Sequence, residues 1–240
     1  MSSIQRHSKT SIYFGLKYLL AGEWSDDRAK AIEFQKALLE NGLEFAQINS
    51  RPRGMNLVRQ QPAPLQVIFD SPGPAVLTLQ IVSSPAQYDT EAFCRDAVAV
   101  TAAYQRAWPQ EHYQILNSSA TVHHLYSAQK HAFEYLWEKR LGQSAKDFAV
   151  FGGRPVAGGG LRLILPPHSQ AGQEPVSVEL RIESFMREPQ KLLVQTIFNW
   201  VKPVVLGPGR GFEPARLLET VEDFAANQVW QFISGTAESE

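Results

Sequence analysis

The stretch "LQVIFDSPGPAVLTLQIVS", Leu65 to Ser83, predicts the class of fold. Two apolar runs flank the turn "SPGP", a pattern typical of two antiparallel strands joined as a β-hairpin. After the hairpin, Asp89 or Thr90 can cap a helix that reaches to about Trp108, where Pro109 prevents continuation. This part of the chain is therefore predicted to be a pair of strands followed by a helix.

The second half of the chain has the same outline. Two strand-like runs in 176–201 surround the turn "MREPQK" and precede a helix predicted from about Pro214 to Ile233. We interpret the chain as an α+β protein with mainly antiparallel sheets and about four helices. Two similar sheet-plus-helix lobes, residues 1–142 and 143–240, are a hypothesis; they can equally form one compact domain. Residue identity between the halves is negligible, so a chance similarity of layout is the alternative.

Further elements are predicted on either side of the hairpin. Ser11 to Leu20 alternates in polarity as a half-buried strand does. Ser25, followed by the acidic Asp26 and Asp27, predicts the start of a helix that runs to Asn41. The segment 50–64, rich in proline and arginine, is predicted to be a long loop or a weak strand between loops. The segment 113–127 is strand-like at least in its first half, and a helix is predicted from Ser127 to Leu141.

Composition excludes few functions. The chain has 23 basic and 24 acidic residues, a balance that favours no polyanionic partner. The single cysteine, Cys94, excludes an internal disulfide and any cysteine-based zinc site. The apolar stretch "SIYFGLKYLLAG" is interrupted by Lys17 and is too short to span a bilayer. We expect a cytoplasmic protein that has no membrane partner.

The glycine cluster "FGGRPVAGGGLRLIL", Phe151 to Leu165, resembles a phosphate loop only in spacing. Gly159 and Gly160 stand where that motif requires lysine and serine or threonine, and a strand rather than a helix follows. We interpret the cluster as a turn or bulge, and keep Arg154 as a candidate anion contact.

A second glycine loop, "GPGRGFEPARLL", does precede a predicted helix. Gly209, Arg210 and Gly211 are therefore candidate anion-binding residues, because free amide groups at a helix start attract negative charge. Glu213 opposes such a site, and a plain connecting loop is the alternative.

No catalytic residue, metal site or cofactor is predicted. His131, Glu134 and Glu138 share one face of the predicted helix, but that face lies opposite its apolar side and is interpreted as solvated. Cys94 has apolar neighbours on its own helix face, so a small buried side chain is favoured over a nucleophile.

The loop "SRPRGMNLVR" places Arg51, Arg53 and Arg59 close together without an intervening acid. A contact with nucleic acid or an acidic protein is one interpretation and a solvated loop the other, since base-stacking aromatic residues are absent from the stretch.

The strand "LLVQTIFNWV" carries apolar residues on both faces, which suggests packing between layers or subunits. The first functional hypothesis is a non-catalytic protein that binds another protein or assembles as a homo-oligomer. The second is a small-ligand-binding protein or enzyme whose pocket between the lobes accepts an anion near Arg210 or Arg154. Nucleic-acid binding through Arg51, Arg53 and Arg59 ranks third.

Overall fold

The chain folds around one large antiparallel sheet, seen here in a computed structural model that describes residues 4–154, 156–168 and 174–235. Its strands are β1 (Ile4–Ala21), β2 (Gln47–Arg51), β3 (Gly54–Arg59), β4 (Leu65–Gly73), β5 (Val76–Ser83), β6 (Tyr113–Ala128), β7 (Gly160–His168), β8 (Val176–Ser184), β9 (Lys191–Trp200) and β10 (Val204–Leu206). The α-helices are α1 (Arg28–Glu40), α2 (Thr90–Ala107), α3 (Ala132–Glu134), α4 (Pro214–Phe224) and α5 (Trp230–Ser234). Residues Tyr135–Arg140 and Ala225–Val229 continue α3 and α4 as π-helical turns, and Ala145–Phe151 form a 3-10 helix.

The strands pair in the order β2-β3-β4-β5-β1-β6-β9-β8-β7, and β10 pairs with β6 outside this path. The β1–β6 pairing joins the strands of the first half to those of the second, so both belong to one continuous sheet. The predicted mixture of helices with a mainly antiparallel sheet is confirmed. The division into two similar lobes at residue 142 stays a prediction.

The core lies between one face of the sheet and the helices. Because side chains alternate along a strand, Phe14, Leu16, Tyr18 and Leu20 of β1 all point to this face and are buried. The ring of Phe93 in α2 stacks on Phe14 at 5.2 Å between centroids. Burial of these alternating apolar side chains is the main force that holds the helices on the sheet.

Local signals in the sequence place several elements correctly. The Asp27 carboxylate accepts a hydrogen bond from the Ala29 amide at 2.9 Å, and Asp89 does the same for Ala92 at 2.8 Å. α2 begins after Asp89, one of its two predicted caps, whereas α1 begins after Asp27, two residues beyond the predicted start at Ser25. The hairpin of β4 and β5 is also confirmed.

For the segment 50–64 the sequence predicts either a long loop or a weak strand between loops. The structure has the strand β3 there. β3 pairs with β2 on one side and with β4 on the other. Met55 and Leu57 are buried, which explains why a stretch rich in arginine still joins the sheet.

The helix predicted from Ser127 starts too early. β6 continues to Ala128, since its backbone pairs with β1 up to Ala128 and with β9 up to Ser127. The helix begins only at Ala132, where the Nδ1 atom of His131 accepts a hydrogen bond from the Phe133 amide at 3.2 Å. Two-sided strand pairing therefore overrides the local helical pattern of these residues.

None of the helices in the described ranges is both long and apolar enough to cross a lipid bilayer.

Candidate functional site

A cavity of about 290 Å³ lies beside the first turn of α4. We call it the α4 cavity, and its lining residues are Tyr18, Ile115, Ser118, Glu174, Pro175, Trp200, Lys202, Val204, Leu206, Arg210, Gly211, Phe212, Glu213, Arg216 and Leu217. The strand register explains how distant parts of the chain meet there. Tyr18 of β1 pairs with Ser118 of β6, and Ser118 pairs with Trp200 of β9, so three neighbouring strands each contribute one residue of the same row.

The loop between β10 and α4 forms another part of the cavity. Gly209 adopts a φ of +74°, a left-handed conformation that glycine tolerates best. The Gln105 side-chain amide donates to the Arg210 carbonyl oxygen at 3.0 Å, which fixes the backbone at this point. Phe212 is buried, and its ring lies edge-on to Tyr18 at 5.0 Å between centroids. The loop is thus held at the Arg210 backbone and at Phe212, while the Arg210 side chain stays exposed.

Three cationic and two anionic side chains line the α4 cavity. Arg216 is paired with both acids: its Nε lies 2.5 Å from Glu213 and its Nη1 lies 3.3 Å from Glu174. Burial by itself lowers the pKa of Arg216, but these two carboxylates outweigh it and raise that pKa. Within the part of the chain that the structure describes, Lys202 and Arg210 have no ion-pair partner. The cavity therefore has an excess of positive charge.

Tyr18 supplies a buried hydroxyl. Its side chain is 1% exposed, and among the described residues the hydroxyl oxygen has no hydrogen-bond partner. Burial raises the pKa of this phenol, Arg216 opposes the rise and Glu213 adds to it. The group therefore stays protonated, and a buried donor without an acceptor costs about 1–3 kcal/mol. The hydroxyl lies close to the α4 cavity, because Arg216 and Glu213, which both act on its pKa, line that cavity.

The first turn of α4 adds to the positive potential. Pro214 occupies the first helical position, and Glu213, the capping residue, makes no side-chain capping hydrogen bond. The first amide groups of a helix have no carbonyl partner inside it, and they carry the positive end of the helix dipole. This turn is therefore suited to an acceptor of negative charge.

The predicted anion residues separate into two places. Arg210 and Gly211 line the α4 cavity and Gly209 shapes its loop. Arg154 lines a different cavity of about 440 Å³, together with aromatic residues that include Phe133 and Trp137. The structure therefore does not bring Arg154 and Arg210 into one site.

The glycine cluster before β7 behaves as the sequence predicts. Gly152 and Gly153 adopt φ values of +69° and +73° after the 3-10 helix. β7 then begins at Gly160, where a Cβ atom would lie 2.3 Å from the Ile182 carbonyl oxygen. The cluster turns the chain and admits it to the sheet edge, so its role is conformational.

The three arginines of the predicted basic loop do not share one surface. Arg51 and Arg53 are exposed at the β2–β3 turn. Arg59 is 5% exposed, forms an ion pair with Asp96 of α2 and donates to the Ala63 carbonyl oxygen at 3.1 Å. Because Met55, Leu57 and Arg59 are spaced by two, Arg59 points to the buried face of the sheet. Its charge is already paired, so this part of the prediction is corrected.

Cys94 is buried with a free thiol, and burial, followed by Glu219, Glu222 and Glu91, raises its pKa to about 11. His131, Glu134 and Glu138 are not brought together with further ligands; across the described ranges no cluster of three or more His, Cys, Asp or Glu is placed to hold a metal ion.

Sequence reasoning missed Tyr18, Ser118, Trp200, Lys202 and Arg216 as members of the site. For Tyr18, the alternating polarity of its strand indicates only a buried core residue. Its place beside Ser118 and Trp200 depends on pairing between strands that are far apart in the chain.

Comparison with models of known protein families gave no matching family. A search of curated proteins also gave no matching sequence.

Proposed function

We propose that the protein binds a small anionic molecule in the α4 cavity. The observation that carries this proposal is the buried Tyr18 hydroxyl beside a cavity that Lys202 and Arg210 line; among the described residues the hydroxyl has no acceptor and the two cations have no ion-pair partner. Donors and unpaired positive charge that converge on one concave site favour a ligand with negative charge. The proposed binding is non-covalent, and the small anion is the only partner that this proposal includes.

The test is calorimetric titration of the full chain with acetate, benzoate and inorganic phosphate at low ionic strength. We expect at least one of these anions to bind, with an affinity that weakens as salt is added, since salt screens exposed charges. The double variant Lys202→Gln/Arg210→Gln should weaken that binding by about ten-fold or more.

Arg187→Gln is the matched control, because Arg187 is an exposed arginine in the turn between β8 and β9 and does not line the α4 cavity. Its affinity should equal that of the unmodified chain. Absence of binding by all three anions contradicts the proposal, as does an affinity that the double variant leaves unchanged.

Self-assembly or binding of another protein is a second candidate function. It is supported by the edge strand β7, where Ile164 is 63% and Leu165 is 41% exposed. An uncovered strand edge with apolar side chains favours pairing with another chain. Light scattering should then show a homo-oligomer that Ile164→Lys converts to a monomer, and a monomer at every concentration argues against self-assembly.

Nucleic-acid binding ranks below both. Only Arg51 and Arg53, two of the three arginines proposed for it, are exposed. Gel-shift measurement at low salt tests it, and absence of a shift removes it.

A further inference from the structure

We infer that the ligand of the α4 cavity is a monoanionic carboxylate with a compact apolar or aromatic body. This inference rests on the proposed function and specifies its ligand class. Three features of the described residues lead to it: the charge balance, the apolar lining and the volume.

The charge balance favours one negative charge. Lys202, Arg210 and Arg216 face Glu174 and Glu213, which leaves an excess of one positive charge. A monoanion neutralises that excess. A dianion, such as a fully ionised phosphate monoester, would bring a second negative charge near two carboxylates that are held in place by Arg216, and like charges in a partly desolvated site repel.

The donors match a carboxylate. The Tyr18 hydroxyl, the Lys202 ammonium and the Arg210 guanidinium all donate hydrogen bonds, and a carboxylate only accepts them. Its neutral amide counterpart carries no charge and has a donor group in place of one acceptor oxygen, and neither Lys202 nor Arg210 can accept a hydrogen bond from it. We therefore expect the site to distinguish a carboxylate from the amide of the same shape.

Apart from Ser118, the remaining lining is mostly apolar. Trp200, Phe212 and Leu217 are each less than one-tenth exposed, and Ile115 and Leu206 are buried beside them. A purely inorganic anion would leave the small apolar area that these side chains still present to the cavity in contact with water, whereas an apolar body covers it and gains about 25 cal/mol for each Å² removed from water.

The volume limits the size of the ligand. Drug-sized ligands occupy sites of about 300–1,000 Å³, so a cavity of about 290 Å³ suits a smaller organic molecule. Phenylacetate is such a molecule, carries one charge and has a flat apolar ring, so it is a suitable probe.

The experiment compares phenylacetate, phenylacetamide and inorganic phosphate by calorimetry on the full chain at neutral pH. We expect phenylacetate to bind at least about ten-fold more tightly than either of the others. Tyr18→Phe should weaken phenylacetate binding by about ten-fold. Tyr13→Phe, which removes a hydroxyl from a half-buried tyrosine of the same strand outside the cavity, is the matched control and should leave the affinity unchanged.

Other outcomes overturn the carboxylate inference, the proposed function or both. Tight binding of phosphate with none of phenylacetate overturns the carboxylate inference and leaves anion binding intact. Equal binding of phenylacetate and phenylacetamide shows that the charge is not recognised, and it overturns both. Failure of acetate, benzoate, phosphate and phenylacetate together overturns the proposed function and, with it, the inference. Unchanged phenylacetate affinity in a folded Tyr18→Phe variant overturns the role of the hydroxyl.

Discussion

The Nε2 atom of His124 lies 3.0 Å from Oε2 of Glu222, and this contact joins β6 to α4 beneath the helix. Lys9 of β1 forms an ion pair with the other carboxylate oxygen of Glu222. One carboxylate of α4 therefore contacts the two central strands of the sheet.

Glu222→Gln should destabilise the protein. The substitution keeps the shape of the side chain but removes the charge that faces Lys9 and the fully buried His124. Loss of an interaction with a charged, mostly buried group costs about 1–3 kcal/mol, which urea unfolding measures. Glu219→Gln, an exposed acid on the same helix, is the control and should change the free energy of unfolding by less than about 0.5 kcal/mol. Equal unfolding curves for the two variants would contradict the expected role.

The same carboxylate predicts a loss of stability in acid. Burial by itself would raise the pKa of Glu222, but His124 and Lys9 outweigh it and lower the pKa from 4.5 to about 2. The unfolded chain thus binds more protons in this range, so the stabilising effect is complete above pH 4.5 and is lost as the pH falls towards about 2. Glu222→Gln should flatten this part of the stability profile, and an unchanged profile argues against the assignment.

His123 predicts a second pH effect at higher pH. Burial, then His124 and Arg181, lower its pKa from 6.5 to about 4, and its ring stacks on Tyr13 at 4.3 Å between centroids. Because the folded state disfavours the charged ring, stability should fall as the pH decreases from 6.5 towards about 4. The slope from one group is at most about 1.4 kcal/mol per pH unit. The free energy of unfolding of His123→Gln, measured across this pH range, should depend less steeply on pH than that of the unmodified chain. An equal dependence on pH contradicts the prediction.

Phe69 on β4 is the centre of an aromatic cluster under α1 and α2. Its ring lies 5.3 Å from Phe34, 5.5 Å from Tyr104 and 5.7 Å from Trp108 between centroids. Phe69→Ala should therefore cost about 3–5 kcal/mol of unfolding free energy, because the cavity left behind is lined by rigid rings. Phe151→Ala, at a side chain that is 59% exposed, should cost less than about 0.5 kcal/mol. Comparable losses in the two variants would show that the cluster does not carry this stability.

Gly54 at the start of β3 has no room for a side chain. A Cβ atom there would lie 2.1 Å from the backbone carbonyl oxygen of Phe69, which the strand pairing holds in place. Gly54→Ala should therefore cost at least about 1–3 kcal/mol, measured by urea unfolding. Gly73→Ala is the matched control, since nothing lies within 4 Å of its Cβ position, and it should be nearly neutral. A neutral Gly54→Ala would contradict the close approach of β3 and β4.

Several elements were predictable because their signals lie within a few residues of one another. The alternation of Phe14, Leu16 and Tyr18 predicts β1, and the acids Asp27 and Asp89 predict the starts of α1 and α2. The same kind of local signal, glycines followed by a helix start, makes Arg210 a candidate, and Arg210 lines the α4 cavity.

Other features depend on contacts that a local pattern does not contain. Arg59 looks like a surface cation in its loop, yet strand pairing turns it towards Asp96 of α2. Trp200 lies in a strand with apolar residues on both faces, and only the neighbouring strands decide that it lines a cavity.

The sequence by itself determined the class of the elements, because capping, turns and side-chain alternation act over one to four residues. The tertiary structure alone decided the candidate site. Tyr18, Ser118 and Trp200 become neighbours through the hydrogen-bonded register of β1, β6 and β9. Lys202, Arg210 and Arg216 reach the same place because β10 pairs with β6 before α4 begins. Pairing between distant strands places these groups together, and no short stretch of the chain specifies it.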